Sequence, residues 1–270
     1  KCLSTMKQCA WLVVAALLCG SGLASAEGGK NATRGKSSGR IVGGYDVDIA
    51  SYPYTVVVVA FIPNAYILCG GVIVSSTKVL TAAHCLYQQP ITSITIRAGS
   101  TLRNSGGFLF SYLSYAVHGQ YNSTTFANDI AVITIKGTFD GFTNVGKILL
   151  QDTEPVISSV TPTSCFVVGW GMNNTATGTL ADRLQRGNFV LVPQTTCASR
   201  VSPLTDTTIC AQSIEGDACR GDSGGPLVCN SRLFGIVSFG AQGCNGAIPD
   251  GFAKITAPSV RSFIAANAGI

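Results

Sequence analysis

Short apolar runs separated by turn-forming residues narrow the choice of fold for this chain more than any other pattern in its sequence. The runs are rich in Val, Ile, Phe and Thr and are bounded by clusters of Gly, Pro, Asn and Ser, which is typical of β-strands joined by turns. The predicted strands are 55–61, 71–74, 91–98, 130–135, 166–168, 188–192, 226–229 and 233–239. A helix is predicted only at the C-terminus, where Thr256 would be its N-cap and Pro258 would lie in its first turn. The sequence therefore predicts an all-β fold with a C-terminal α-helix.

The first 40 residues differ in character from the rest of the chain. Lys7, the apolar run 10–18 and the small residues 24–26 match the three parts of a secretory signal peptide. We expect residues 1–26 to be this signal; if Met6 is the initiator, residues 1–5 are an upstream extension. The apolar run is about half the length of about 20 residues that a membrane-spanning helix needs. Residues 27–40 contain no bulky apolar side chain and are predicted to be a flexible propeptide.

The positive charge of the chain also lies in these 40 residues. The formal net charge is +5, from 18 Lys and Arg against 13 Asp and Glu. Six of the basic residues and one acidic residue fall in 1–40, so 12 of each remain in 41–270. Nucleic-acid binding needs a basic surface that neutralises phosphates. The neutral main body therefore argues against a nucleic-acid partner.

Cysteine usage agrees with export from the cell. Of 11 Cys, three precede residue 27, and the eight others are Cys69, Cys85, Cys165, Cys197, Cys210, Cys219, Cys229 and Cys244. An even number suits disulfides formed in an oxidising compartment. A metal site is the competing use, but these cysteines show no C-x-x-C spacing and the chain has only two His. We therefore expect four disulfides and no zinc.

Three short motifs follow one another in the main body: T-A-A-H-C at 81–85, N-D-I-A at 128–131 and G-D-S-G-G-P at 221–226. Together with I-V-G-G at 41–44, G-W-G at 169–171 and I-V-S-F-G at 236–240, they resemble the trypsin and chymotrypsin family of serine proteases. The resemblance spans essentially all of 41–270. It implies two six-stranded antiparallel β-barrels, at 41–150 and 151–270, with the active site in the cleft between them.

The motifs carry residues suited to nucleophilic catalysis. A serine hydroxyl is a weak nucleophile unless a base takes its proton, and a neutral imidazole suits that task. The resemblance implies that Ser223 is the nucleophile, His84 the base, and Asp129 the group that orients His84. It also implies that the backbone N–H groups of Gly221 and Ser223 form the oxyanion hole. His118 matches none of the motifs, and we interpret it as a surface or structural residue.

The resemblance further implies a zymogen. Cleavage between Arg40 and Ile41 would create a new α-amino group, and the ammonium of Ile41 would then pair with buried Asp222. The activating enzyme could be another protease or the protein itself.

The cysteines and the acidic residues complete what the resemblance implies. The family's disulfide pairing would be Cys69–Cys85, Cys165–Cys229, Cys197–Cys210 and Cys219–Cys244. Many trypsins bind calcium through acidic side chains of the first barrel, but no Asp or Glu occurs between residues 49 and 128. Because a hard cation usually needs carboxylates among its oxygen ligands, we expect no calcium site of that kind, no other metal and no cofactor.

The specificity pocket is predicted around Asp217, six residues before the nucleophile. In trypsin-like members this position lies at the base of the pocket and pairs with substrate Arg or Lys. Ser238 and Gly240 would belong to the pocket walls. One position departs from the family pattern, because Asp250 occupies the place of a wall glycine and Gly251 is displaced by one. Either Asp250 shares the pocket with Asp217, or the loop bulges and Asp250 turns towards solvent.

We therefore predict a secreted, monomeric serine endopeptidase that cleaves after Arg and Lys. Its expected partners are protein or peptide substrates and protein inhibitors, with neither nucleic acid nor a membrane. Two other readings stay open: a protease homologue that has lost catalysis and binds another protein, and a disulfide-rich structural protein. Labelling of Ser223 by an organophosphorus reagent after cleavage at Arg40 distinguishes the three.

Overall fold

The computed structural model describes residues 41–270, so the predicted signal peptide, the predicted propeptide and Arg40 lie outside the described residues. The strands of the first half are β1 (Tyr45–Asp46), β2 (Thr55–Ile62), β3 (Ala65–Ile73), β4 (Lys78–Thr81), β5 (Ser93–Ala98), β6 (Phe108–Val117), β7 (Ala131–Ile135) and β8 (Leu149–Leu150). Those of the second half are β9 (Ser164–Gly169), β10 (Met172–Asn174), β11 (Thr179–Leu180), β12 (Gln185–Val192), β13 (Thr208–Glu215), β14 (Pro226–Cys229), β15 (Arg232–Phe239) and β16 (Asp250–Lys254). The helices are α1 (Gln194–Ala198) and α2 (Pro258–Ala268). The predicted all-β fold with a C-terminal helix is confirmed.

Strands β2 to β7 close into a barrel in the order β2-β3-β4-β7-β6-β5. Strand β2 pairs antiparallel with both β3 and β5, and its β-branched residues suit this two-sided pairing. Val56 and Val58 of β2 point into the core of this barrel, and Val57 between them faces the opposite side and is buried in a second apolar cluster with Trp170. The core of the barrel also includes Val260 and Ile264 of α2. The C-terminal helix therefore packs against the first barrel.

A second set of six strands is arranged in the order β12-β13-β16-β15-β14-β9 and closes because β12 also pairs with β9. Strand β1 extends this sheet beside β12, and β8 pairs in parallel with β15. The interior is built around Phe189 and Phe252, whose fully buried rings meet edge-to-face with centroids 6.1 Å apart. The two six-stranded antiparallel barrels implied by the resemblance are therefore present.

Helix α2 begins differently from the prediction. Its N-cap is Ala257, which makes no side-chain capping bond, and Pro258 is the first helical residue. The hydroxyl of Thr256 instead donates a 2.7 Å hydrogen bond to Glu154 Oε2. The prediction that Thr256 caps the helix is wrong, because the helix begins one residue later than predicted, which makes Ala257 the N-cap residue. Within residues 41–270, no helix is long and apolar enough to cross a bilayer.

Four disulfides tie these elements together in the pairing that the resemblance implies: Cys69–Cys85, Cys165–Cys229, Cys197–Cys210 and Cys219–Cys244. The first joins β3 to the short 3₁₀ turn Ala83–Cys85, which carries His84. The last joins two segments that line the same cavity. Two of the four cross-links therefore lie beside predicted site residues.

Candidate active site

His84 and Asp129 are held together by two hydrogen bonds. The backbone N–H of His84 donates to Asp129 Oδ1 at 2.9 Å, and His84 Nδ1 lies 2.8 Å from Asp129 Oδ2. The Asp129 side chain is fully buried, whereas the His84 side chain is 25% exposed. With the Nδ1 proton donated to Asp129, Nε2 is left unprotonated and can accept a proton. The pair can therefore act as an oriented base.

A third donor completes the surroundings of the Asp129 carboxylate. Ser238, on β15, donates its hydroxyl to Asp129 Oδ2 at 2.5 Å. An ionised carboxylate is stable in a buried position only when hydrogen bonds replace its lost hydration. Sequence reasoning placed Ser238 only in a pocket wall, and no local motif links it to Asp129, which lies 109 residues earlier.

Ser223 lies on a glycine-rich turn at the junction of the two barrels. Its carbonyl oxygen accepts a 2.8 Å hydrogen bond from the N–H of Gly70, which belongs to β3 of the first barrel. Gly224 has φ +83°, and a Cβ there would lie 2.5 Å from the carbonyl oxygen of Gly70. Only glycine therefore allows the backbone to approach this closely. The turn is therefore anchored to Gly70, whose neighbour Cys69 is disulfide-bonded to Cys85, the residue that follows His84.

The backbone amides of Gly221 and Ser223, the predicted oxyanion donors, take no part in the hydrogen bonds within the turn. Gly221 has φ +99°, a conformation that favours glycine. Neither the amide of Gly221 nor that of Ser223 donates to an acceptor within residues 41–270. Both N–H groups are therefore available to a ligand.

Asp222 points into the protein on the other side of this turn. Its side chain is 0% exposed and accepts hydrogen bonds from Gly171 N at 2.8 Å and Cys219 N at 3.0 Å. Burial raises the pKa of Asp222 to about 7, and the two amide bonds oppose that rise only in part. Among residues 41–270, no Lys or Arg forms an ion pair with Asp222.

A cavity of about 670 Å³ lies beside Ser223, and its lining includes Ser238, Gly240 and Asp250. Asp250 is 1% exposed, so the alternative in which it turns towards solvent is not the one adopted. Asp217, at 3% exposure, lines an adjoining cavity of about 360 Å³ and is absent from the lining of the larger one. The structure thus brings two buried acidic residues to this region.

Two further rings, those of Phe126 and His118, have contacts that the sequence motifs did not specify. Phe126 packs edge-on against His84 with centroids 5.9 Å apart, and no sequence signal indicated this contact. His118 is 7% exposed, accepts from Gln120 N and lies 3.3 Å from the carbonyl oxygen of Ser259. His118 is therefore part of the packing between α2 and the first barrel, in line with its structural interpretation.

One antiparallel barrel carries a hydrogen-bonded His–Asp pair, and the other carries a serine on a glycine-rich turn. Together these features define the class of two-barrel serine hydrolases. A comparison with protein-family models agrees, because the model described as Trypsin matches residues 41–264. The chain therefore belongs to the trypsin family and is a trypsin-like serine protease. Its substrates are accordingly proteins or peptides.

Individual relatives support the same assignment. The chain is 39% identical to a trypsin of Sarcophaga bullata over 84% of this chain and 88% of that protein. It is 37% identical to trypsin delta of Drosophila melanogaster over 85% of this chain and 89% of that protein.

Solved structures with the same fold include both an enzyme and an inactivated relative. HL collagenase superimposes with a TM-score of 0.75 and 28% identity, over 85% of this chain and 99% of that one. The scabies mite inactivated protease paralogue S-D1 gives a TM-score of 0.73 and 26% identity, over 84% and 97% of the two chains. The fold alone therefore does not establish which side chains act in catalysis.

Proposed function

We propose that the protein is a secreted endopeptidase that hydrolyses peptide bonds after Arg and Lys through an acyl-enzyme, using Ser223, His84 and Asp129. The observation that carries this proposal is the buried Asp129 carboxylate, which binds His84 through both oxygens beside the cavity lined by Ser223. An oriented base next to a serine on a tight turn is the arrangement that nucleophilic catalysis needs.

The proposed reaction has two halves. Ser223 Oγ forms a bond to the carbonyl carbon of the substrate while its proton passes to His84 Nε2. The amides of Gly221 and Ser223 donate to the developing oxyanion, and Asp129 stabilises the imidazolium. The C–N bond then breaks as His84 returns the proton to the departing amine, which leaves an acyl-enzyme. Water then attacks the acyl carbon while its proton passes to His84. The bond between that carbon and Ser223 Oγ breaks, and His84 returns the proton to Oγ, which releases the acid and free Ser223.

Specificity for a basic side chain follows from the charges beside the cavity. Asp217 and Asp250 are both buried, and no Lys or Arg among residues 41–270 forms an ion pair with either. A cationic side chain would supply the missing partner, whereas an apolar side chain would leave the carboxyls unpaired.

Activation by cleavage after Arg40 is supported by the surroundings of Ile41 and Asp222. Ile41 is 0% exposed and packs in the apolar interior of the second barrel, and the carbonyl oxygen of Val42 accepts a 3.0 Å bond from the N–H of Asp217. Asp222 has two amide donors but no cationic partner within the described residues. The α-ammonium of Ile41, once released, would be that partner. An Arg40→Gln chain that stays uncut yet is fully active would refute this scheme.

Secretion is proposed from the N-terminal pattern at 1–26 and from the four disulfides, which are typical of oxidising compartments. Expression of the full chain in eukaryotic cells should place it in the medium, with Glu27 as the first residue of the zymogen. An intracellular protein that retains residues 10–26 would contradict secretion.

The catalytic assignment is tested with a fluorophosphonate probe. The chain cut after Arg40 should be labelled on Ser223, and Ser223→Ala should not be labelled although it folds. A matched control is Ser259→Ala, since Ser259 lies on α2 and is in contact with the Asn128 side chain, outside the cavity. Absence of labelling in the correctly cut, folded protein would favour an inactive homologue. A mixed-sequence peptide library then tests specificity, and cleavage dominated by aromatic or small residues would contradict the preference for Arg and Lys.

A further inference from the structure

The carboxyl group of Asp250 belongs to the wall of the cavity beside Ser223. Asp250 begins β16, where it pairs with Ala211 of β13, and the next residue, Gly251, pairs with Phe239 of β15. A Cβ on Gly251 would collide with the Phe239 ring, so no side chain fits there. Successive residues of a strand face opposite sides, and the side chain of Asp250, on the side opposite to that faced by Gly251, lies in the lining of the cavity.

Gly240, on the neighbouring segment, leaves the space that this carboxyl group occupies. A Cβ on Gly240 would lie 3.0 Å from Asp250 Cγ and closer still to Oδ1. Asp250 therefore contacts the facing backbone directly and fills part of the cross-section of the cavity. The cavity is narrower and shallower at this level than it would be with glycine at position 250.

Neither oxygen of Asp250 has a hydrogen-bond partner among the described residues, although the side chain is 1% exposed. It approaches the Asp217 carboxyl group and the Ala241 amide without reaching hydrogen-bond geometry. A buried carboxyl group that lacks a partner and lies against an open cavity is suited to binding a donor from a ligand.

Asp217 is arranged differently. Its Oδ2 already accepts a 2.8 Å hydrogen bond from Gly246 N, and only Oδ1 is without a partner. It lines the adjoining smaller cavity and does not line the one that contains Ser223. A side chain that enters beside Ser223 therefore reaches Asp250 before it reaches Asp217.

We infer that Asp250 is the group that directly binds the charged end of the substrate side chain, that Asp217 supports it from behind, and that this arrangement shifts preference towards Lys relative to Arg. A Lys ammonium is a compact charge with three rotatable donors and fits a shortened, narrowed cavity. The longer, planar guanidinium of Arg needs depth and a bidentate acceptor in its own plane. The inference rests on the proposed cleavage after basic residues and specifies how the cavity achieves it.

The test compares Asp250→Asn, Asp217→Asn and Asp250→Gly, each activated and assayed with matched peptide substrates that differ only in Lys, Arg or Gln before the cleaved bond. Titration of Ser223 with a fluorophosphonate gives the concentration of competent sites, so every kcat/KM refers to folded enzyme. Asp140→Asn is the charge control, because Asp140 is exposed and its side chain accepts from Thr138.

We expect Asp250→Asn to lower kcat/KM on the Lys substrate by about tenfold to a hundredfold, the range for loss of one charge-assisted hydrogen bond. Asp217→Asn should cause a smaller loss. Asp250→Gly should raise the ratio of Arg to Lys cleavage several-fold, because it reopens the depth of the cavity. Asp140→Asn should stay within about twofold.

Two results overturn the inference while leaving cleavage after basic residues intact. One is a larger loss in Asp217→Asn than in Asp250→Asn, which would make Asp217 the direct contact. The other is an unchanged ratio of Arg to Lys cleavage in Asp250→Gly. If the unmodified enzyme cleaves the Gln substrate as well as the basic ones, the proposed specificity itself fails.

Discussion

Substitution of Gly171 by Ala tests whether the Asp222 carboxylate is as tightly enclosed as the structure indicates. A Cβ at position 171 would overlap Asp222 Oδ2 and lie 2.7 Å from Oδ1. Neither the backbone conformation of Gly171 nor its amide excludes alanine, so the effect comes from the methyl group alone. The carboxylate has to move, and it then loses the hydrogen bonds from Gly171 N and Cys219 N.

The size of the effect follows from those two bonds. Each hydrogen bond to an ionised acceptor contributes about 1.5–3 kcal/mol, so the loss of both lowers the free energy of unfolding by about 3–6 kcal/mol. Asp222 directly precedes Ser223, so a displaced carboxylate also shifts the turn that bears the proposed nucleophile and oxyanion donors. We expect kcat/KM on a short ester to fall at least about a hundredfold, since small misplacements at a reacting centre have effects of this size.

Urea unfolding and ester hydrolysis measure the two effects. The matched control is Gly119→Ala, because a Cβ on Gly119 meets nothing within 4 Å. The control should unfold within about 0.5 kcal/mol of the unmodified protein. Wild-type stability and kcat/KM in Gly171→Ala would refute the tight enclosure of Asp222.

Three further predictions concern charge and packing. In the uncut chain, folding raises the pKa of Asp222 from 3.8 to about 7, so the folded state binds the proton more tightly than the unfolded state. The free energy of unfolding should therefore fall as pH rises through this interval, by about 4 kcal/mol in total. Asp222→Asn should remove that decline in urea unfolding of Arg40→Gln protein, and an unchanged pH profile would contradict it. Burial, and to a lesser extent the neighbouring Asp217 and Asp222, raise the pKa of Asp250. Because benzamidine is a cation, it should inhibit more strongly as pH rises and the Asp250 carboxyl group loses its proton. The pH dependence of the inhibition constant should be weaker in Asp250→Asn, and equal slopes would count against the assignment. Phe189→Ala, at a 0% exposed site, should lower the free energy of unfolding by about 3–5 kcal/mol, whereas Leu149→Ala, at 63% exposure, should change it by less than about 0.5 kcal/mol.

The sequence alone indicated the elements whose signals are local. Strand β2 is a nearly continuous run of apolar and β-branched residues, because most of its side chains are buried on both faces of the strand. Strand β15 is also largely apolar and buried, although Gly235 and Ser238 interrupt it. Strand β6 was missed, since Leu109 and Leu113 are more than 60% exposed and its pattern lacks a clear two-residue period. Strand β13 was missed as well, because Thr, Gln and Ser interrupt its apolar residues.

The site shows the same division between local pattern and long-range contact. The motifs identified His84, Asp129 and Ser223 because each lies in a short, distinctive segment. The hydroxyl that completes the surroundings of Asp129 comes from Ser238, 109 residues later, and no local pattern could reveal that bond.

Position 250 was left undecided by the sequence for the same physical reason. A shift of one residue in strand register moves a side chain to the opposite face, so the letters P-D-G-F alone allow Asp250 to face either the cavity or solvent. Packing of the Phe239 ring over Gly251 selects one register and buries Asp250 beside Gly240. The sequence therefore determined which chemical groups are available, whereas tertiary packing decided which carboxyl group faces the cavity, because that choice depends on contacts between β15 and β16.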